Sequence, residues 1–352
     1  MGVLHPQECY LLESFISVEH YAKTRDAIIA YIDAHEAALA RYKKEMPLNV
    51  RRLPLWEQAD VVWETRVMPN LRPARERYIK AYILRTHNDI KAFNIGDMMS
   101  NVNKGISEFW DNWMTEEERQ NISNLFSIAY KLDDRLSTTI WGGWEDGNLT
   151  YKGKERIYNP NELPAQIPRY ELDFSVRIEI DDSPVKTGFY LPDIDFAPAR
   201  FIPADFGEPP EARQGVKRSD WVNPDTGKRD YSWEESEWAK TGWTLIRRVE
   251  NEFIDVPPEG FFPQGLPEEL YDWSEREKQL LQKKQKRITA QSGEISPHTG
   301  RWGTLVNGSI DYAQVKQGQP LPEFEDKHGK SHQTVWSLLE RDDKGSVYID
   351  VV

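Results

Sequence analysis

The residues of this chain best equipped for chemistry are carboxylates set beside tryptophans. Asp193 and Asp195 stand in Leu191-Pro192-Asp193-Ile194-Asp195-Phe196, and Glu234, Glu235 and Glu237 lie among Trp233 and Trp238. A glycosidase needs two carboxyls flanking the scissile bond, one to protonate the leaving oxygen and one to act as base or nucleophile. An acidic, aromatic face that grips another protein uses the same residue types, because interface hot spots favour tryptophan and tyrosine. A solvated loop is the third reading. Residue types alone leave all three open.

Other catalytic patterns fail on spacing. Asp225-Thr226-Gly227 has the letters of an aspartic-protease triplet, but that chemistry needs two carboxylates sharing a proton on apolar strands. One copy is present, between Asn223-Pro224 and Lys228-Arg229-Asp230, so a β-turn is expected. His328 and His332 are four apart, but Gly329 and the lysines around them predict a loop, without the third ligand a zinc site needs. His35-Glu36 is followed by Leu39 where a zinc-protease helix places its second histidine. Cys9 has no cysteine-protease signature around it and is expected to be a buried thiol. No nucleophile elbow, Walker loop or dinucleotide fingerprint occurs. The expectation is a non-enzyme with no cofactor and no metal.

The chain has 352 residues and a formal charge of −13. A phosphate-backbone binder needs a basic footprint, so no nucleic-acid partner is expected. An acidic surface favours encounter with a basic protein. The single cysteine excludes an intrachain disulfide and fits a reducing compartment. No basic-then-apolar leader is seen, and no apolar run nears the roughly 18 residues of a span, so a cytoplasmic protein with no membrane partner is expected. Asn148-Leu149-Thr150 and Asn307-Gly308-Ser309 are then chance sequons.

Two regimes must position these residues. Residues 1–140 read as an antiparallel helical bundle. Glu8 to Lys44 holds no Gly or Pro; Pro73 to Phe93 carries a stripe at Ile79, Tyr82, Ile83, Ile90 and Phe93; Thr115-Glu116-Glu117-Glu118 is a capping box opening a third helix. That helix should bury Ile122, Leu125, Phe126, Ala129, Leu132 and Leu136. After Trp141-Gly142-Gly143-Trp144, residues 141–352 read as a β-rich, turn-rich part, giving an α+β protein. Leu172 to Ile180 alternates with period two, and Thr187–Leu191, Trp243–Val249, Trp302–Val306 and Thr334–Leu339 are further strands. One inserted helix is expected over about 267–291, its last turns carrying Lys283, Lys284, Lys286 and Arg287 as the macrodipole prefers. Pro203 to Tyr231 reads as a long surface loop, and Asp342-Asp343-Lys344-Gly345 as a hairpin turn into Val347–Val351.

Three segments share a turn vocabulary: Pro184 to Tyr190, Pro224 to Gly227, and Pro297 to Trp302 each set Pro before Thr-Gly. Pro presets one turn dihedral and Gly permits positive φ. Their order is more specific than any one piece. Thr187-Gly188-Phe189-Tyr190-Leu191-Pro192-Asp193 leads to Trp243–Val249, then Ser292-Gly293, Thr299-Gly300-Arg301-Trp302, Gly318–Pro322 and Trp336. From about Ser183 onward this series resembles the long immunity proteins encoded beside toxins of bacterial polymorphic and type VI secretion systems. The resemblance implies a stoichiometric inhibitor that binds a cognate secreted toxin and occludes its active or substrate site. It transfers no catalytic residue, and a homo-oligomer is compatible with it. The expected partner-binding residues are Asp193, Asp195, Trp233, Glu235, Trp238 and Trp302. The alternative is a carbohydrate-binding or carbohydrate-active protein with a tryptophan and carboxylate cleft.

Overall fold

A computed structural model describes residues 2–95, 98–143, 163–195, 197–204, 207–213, 217–234, 237–257, 260–264, 268–282, 285–306, 309–325 and 329–350. The architecture is α+β, with helices first and small antiparallel sheets after.

The Gly- and Pro-free run gives two helices, α1 (Pro6–Phe15) and α2 (Val18–Glu45). Ser17 breaks it. Its hydroxyl accepts from the His20 amide at 3.0 Å and caps α2, the local bond serine offers in place of continuing a helix. Helix α3 (Ala59–Val62) runs through a π-turn into α4 (Met68–Thr86). Helix α4 has the expected period but a rotated face: Leu71, Ala74, Tyr78, Ala81 and Arg85 are buried and Ile83 is exposed. It also stops at Thr86, leaving Ile90 and Phe93 on a separate 3₁₀ turn. After α5 (Met98–Ser107), helix α6 (Glu116–Ser137) opens on the expected capping box. The Thr115 hydroxyl accepts from the Glu118 amide at 3.2 Å, and the Glu118 carboxylate accepts from the Thr115 amide at 2.8 Å. Arg41 of α2 donates to the same carboxylate and holds it below its usual range.

The first sheet uses β1 (Gln166–Ile178), β2 (Gly188–Pro192), β3 (Arg200–Ile202) and β6 (Trp243–Asp255) in the order β1-β6-β2-β3. The period-two pattern slips in β1, where a bulge between Asp173 and Arg177 turns Phe174 outward. The stretch expected as a long loop instead forms a hairpin, β4 (Lys217–Val222) with β5 (Arg229–Glu234). Polar residues with turn chemistry are as compatible with an exposed ribbon as with a loop, because neither face need be apolar.

The inserted helix is shorter than expected. It comprises α7 (Glu268–Tyr271) and α8 (Trp273–Gln282), and the chain then turns to strand in β7 (Gln285–Arg287) and β8 (Thr289–Gln291). Lys283 and Lys284 lie outside the described residues. Arg287 is no helix terminus: it is buried and donates to Leu338 O and the Tyr348 hydroxyl at 3.1 and 2.6 Å. The second sheet adds β9 (Gly300–Val306), β10 (Ser309–Val315) and β13 (Val335–Arg341) to β8, in the order β10-β9-β13-β8. Two short strands, β11 (Phe324–Glu325) and β12 (Ser331–His332), pair beside it. The last strand, β14 (Tyr348–Asp350), follows the expected turn but pairs with β7, not back onto β13.

The largest apolar core does not stop at the 140/141 boundary. It joins residues of α1, α2, α4 and α6 to Ile167, Leu191, Phe201, Ile246, Phe261, Phe262 and Trp273. Helix α1 sits between the two parts. Glu8 accepts from the Ala199 amide at 2.6 Å, and Glu13 accepts from the Tyr170 hydroxyl and Arg248 at 2.7 and 2.8 Å. His5, at the cap of α1, packs against Phe261, Phe262 and Trp273.

Burial pushes the Glu8 carboxyl up to about 8, opposed by the Ala199 hydrogen bond, and pushes the His5 imidazole down to about 3, with Arg276 adding to it. Both groups are therefore neutral in the fold near pH 6. As pH rises from 4.5 towards 8, the unfolded chain releases the Glu8 proton that the fold retains, so stability falls. As pH drops from 6.5 towards 3, the unfolded chain takes up the His5 proton that the fold refuses, and stability falls again. Between 4.5 and 6.5 the two slopes oppose each other. Urea unfolding across pH should show an alkaline limb that Glu8→Gln flattens, recovering about 2–3 kcal/mol between about pH 6 and pH 8. An unchanged limb in that variant would remove Glu8 as its source.

Candidate partner-binding surface

The hairpin β4–β5 is a surface open to a partner. It pairs with no other strand among the described residues. Its tip is built locally. The Asn223 side-chain oxygen accepts from the Asp225 and Thr226 amides at 2.9 and 3.1 Å, and the Asn223 amide donates to Lys228 O at 2.9 Å. Gly227 closes the turn at φ +63°, a conformation that glycine adopts without a Cβ clash. Asp225-Thr226-Gly227 is thus the expected turn.

The base of the ribbon is tied to the core. Ala212 and Ala239 exchange backbone hydrogen bonds of 3.0 and 2.8 Å, closing the excursion that carries the hairpin. Ala212 belongs to the apolar cluster of Tyr190, Ile202 and Trp243, and the Trp243 indole donates to Pro210 O at 3.0 Å. Above this anchor, Trp221 is 43% exposed, Val222 59% and Trp238 56%. The Arg213 guanidinium lies 5.1 Å from the Trp238 ring centroid, a contact that orients the indole without covering it.

The sequence-derived residues part company here. Trp238 is on the surface, beside the hairpin's base. Trp233 stands on β5 in register with Arg218, with its side chain outside the described residues, as Glu235 is altogether. Asp195 is exposed in the bend after β2. Asp193 is committed elsewhere: Arg177 donates to it at 2.7 Å and also reaches Glu179 and Thr244 at 3.0 and 2.6 Å. Those carboxylates, Asp193 foremost, hold the guanidinium protonated beyond its ordinary range. A Cβ on Gly242 would fall 2.6 Å from the Asp193 carboxylate and 3.0 Å from Arg177, so this ion pair depends on a glycine beside it.

Trp302 corrects the sequence reading. It is fully buried, packed with Ile288, Val315, Leu321, Trp336 and Leu338 beneath the second sheet. The motif pieces around it form a closed structural unit. Gly293 donates to Leu321 O, Ser296 to Gln319 O and Gly318 to Ser296 O, while the Trp336 indole donates to Pro322 O at 2.8 Å. Nor do the Thr-Gly pairs share one cause. A Cβ on Gly188 would meet Leu245 at 2.6 Å, and one on Gly300 would meet Glu340 O at 2.1 Å, so both serve close approach. Of the three, Gly227 alone has positive φ.

The remaining candidate chemistry lies apart from this surface. Cys9 is buried, and burial with Glu8 and Glu13 nearby pushes its thiol up. His35 is buried against Trp63 and hydrogen-bonds Tyr31 O at 3.0 Å. His332 lies on β12, and His328 falls outside the described residues. No cluster of three His, Cys, Asp or Glu poised for a metal occurs among the described residues. A cleft of about 760 Å³ opens between the bulged Val249–Glu252 stretch of β6 and the second sheet; Gln166, Thr304, Thr334 and Ser337 line it, and tryptophan does not. No helix among the described residues is long and apolar enough to cross a membrane. No family model matches this chain, and no curated protein or solved structure matches it significantly.

Sequence reasoning missed Trp221 and Val222, although Trp-Val before Asn-Pro-Asp-Thr-Gly is a strand entering a turn. The core and surface tryptophans should separate in solution. Trp302→Ala should cost about 3–5 kcal/mol of unfolding free energy, while Trp238→Ala should stay within about 0.5 kcal/mol. Denaturant unfolding of both variants checks the assignment.

Proposed function

We propose that this chain is an immunity protein, a cytoplasmic inhibitor that binds a cognate secreted toxin and blocks its active or substrate site. The supporting observation is the projecting hairpin β4–β5 with exposed Trp221, Val222 and neighbouring Trp238 on a tied base. A ribbon of this kind reaches into a partner's cleft, and its aromatic anchors bury large area at low entropic cost. The ordered motif series from Thr187 to Trp336 supports the same reading, by supplying a rigid frame rather than contact residues. Inhibition then requires binding alone, without a nucleophile, cofactor or metal on this chain. The net charge of −13 favours a basic toxin and fast, salt-sensitive association.

The carbohydrate alternative has less behind it. The large cleft lacks a tryptophan platform, and Asp193 is held by Arg177.

Co-expression tests the proposal. An adjacent gene whose product is toxic alone should become harmless with this chain, and the two products should co-purify. Trp221→Ala with Trp238→Ala should weaken the complex by roughly 30-fold or more, the effect of losing a hot spot, while leaving the fold intact. Continued toxicity during co-expression, or no complex, defeats the reading.

A further inference from the structure

A dense run of exposed apolar side chains lies far from the hairpin in sequence. Leu48 is 91% exposed, Leu53 42%, Leu55 64% and Trp56 71%, on two 3₁₀ turns, Leu48–Arg52 and Leu55–Glu57, and the link between them. Each turn is preceded by a proline, Pro47 and Pro54. The segment is held in shape without being covered. Arg51 donates to Gln58 and Asp60 at 2.7 Å, and Gln58, itself buried, donates to Leu53 O at 2.7 Å. The apolar side chains are therefore presented on a fixed scaffold, not left over from a frayed end.

Charge selects the occupant. Lys43 and Arg51 are neutralised by Glu64 and Asp60. Lys44 and Arg52 are exposed and make no ion pair among the described residues, against one unpaired acid in the segment, Glu57. Cations beside exposed leucines and a tryptophan match an anionic bilayer, where the apolar groups enter the headgroup boundary and the cations meet the phosphates. A second copy of this chain fits less well. The apolar-floored hollow at Ala81, Leu84 and Ile95 is rimmed by Arg77, Lys80 and Lys91 against one acid, Asp89, a cationic balance that repels Arg52 and Lys44. The larger cleft has a mixed lining in which Arg248, Glu250, Glu252 and Lys286 would lose water to an entering leucine.

We infer that residues 47–57 attach the protein to the surface of an anionic phospholipid membrane, with Leu48, Leu55 and Trp56 inserted and Arg52 and Lys44 at the headgroups. The sequence argued against a membrane partner from the lack of a spanning run; surface attachment needs none. This attachment is independent of toxin binding.

Flotation of the full chain with phosphatidylcholine vesicles, with and without a phosphatidylglycerol fraction, tests it. Binding should require phosphatidylglycerol and weaken with added salt. Leu55→Asp with Trp56→Ser should reduce the bound fraction at least roughly tenfold. Arg52→Glu should reduce it less, and Glu57→Gln should raise it. All four positions are exposed, so the thermal midpoint should hold and a loss of binding is not a loss of fold. The proposal is overturned by absence of flotation with anionic vesicles, or by flotation that Leu55→Asp with Trp56→Ser leaves unchanged. Self-association abolished by that double variant, without vesicle binding, would assign the segment to a second copy instead.

Discussion

Helix α1 is buried along nearly its whole length, and such a helix leaves its polar side chains no route to water. Gln7, Glu8, Cys9 and Tyr10 are all buried, as is the capping His5. Each must find a partner in the surrounding structure or carry a desolvation cost. Glu8 finds the Ala199 amide, and Glu13, half-buried, finds Tyr170 and Arg248. The Gly2 amide adds a bond to Pro192 O. These bonds place α1 against β1, β6 and the segment between β2 and β3, which fixes the first sheet on the helical part. The sheet in turn carries Ile202 and Trp243, on which the base of the hairpin rests. Removing the α1 contacts would loosen the frame of the candidate surface without touching any residue on it.

The cost of this arrangement is visible. The Gln7 amide and the second ring nitrogen of His5 have no hydrogen-bond partner among the described residues. Keeping Glu8 and His5 neutral resolves only part of it, because a neutral buried amide still wants two partners. Cores tolerate such groups where burial elsewhere is large, and the continuous core from α1 to Trp273 provides that.

What was legible in the sequence follows from how local the governing interaction is. The Thr115–Glu118 box and the Asn223–Lys228 turn are decided within a few residues, and both stand as read. Helix α4 kept its period, but the partners of its buried face are distant in sequence: Tyr78 donates to Asp133, and Arg85 lies against Phe93 and Phe201, none of which a pattern in α4 announces. The inserted helix was overextended because lysines at a helix end satisfy the macrodipole, whereas Lys286 and Arg287 were claimed by pairing with β14. Tryptophan burial is the least local of these properties. Trp302 and Trp56 are equally apolar in the sequence. One sits on a strand between two others; the other follows Pro54 in a stretch with no period, and only the absence of a covering element exposes it.

Net charge and local charge also make opposite suggestions, and range decides between them. At physiological salt the screening length is about 8 Å, far shorter than the dimensions of a 352-residue fold. The −13 of the whole chain therefore governs approach and orientation, while the groups within a few ångströms govern contact. Across β4–β5 the formal charges cancel, Lys217, Arg218, Lys228 and Arg229 against Asp220, Asp225, Asp230 and Glu234, so a preference for a basic partner comes from the rest of the chain. Over residues 44–57 they disagree: the unpaired Lys44 and Arg52 outnumber the unpaired Glu57, so contact favours an anionic surface that the distant charges oppose. An acidic protein with a cationic, apolar edge approaches such a surface in one orientation, with the rest of its charge turned away. The net charge then acts as a constraint on pose rather than as a bar to contact.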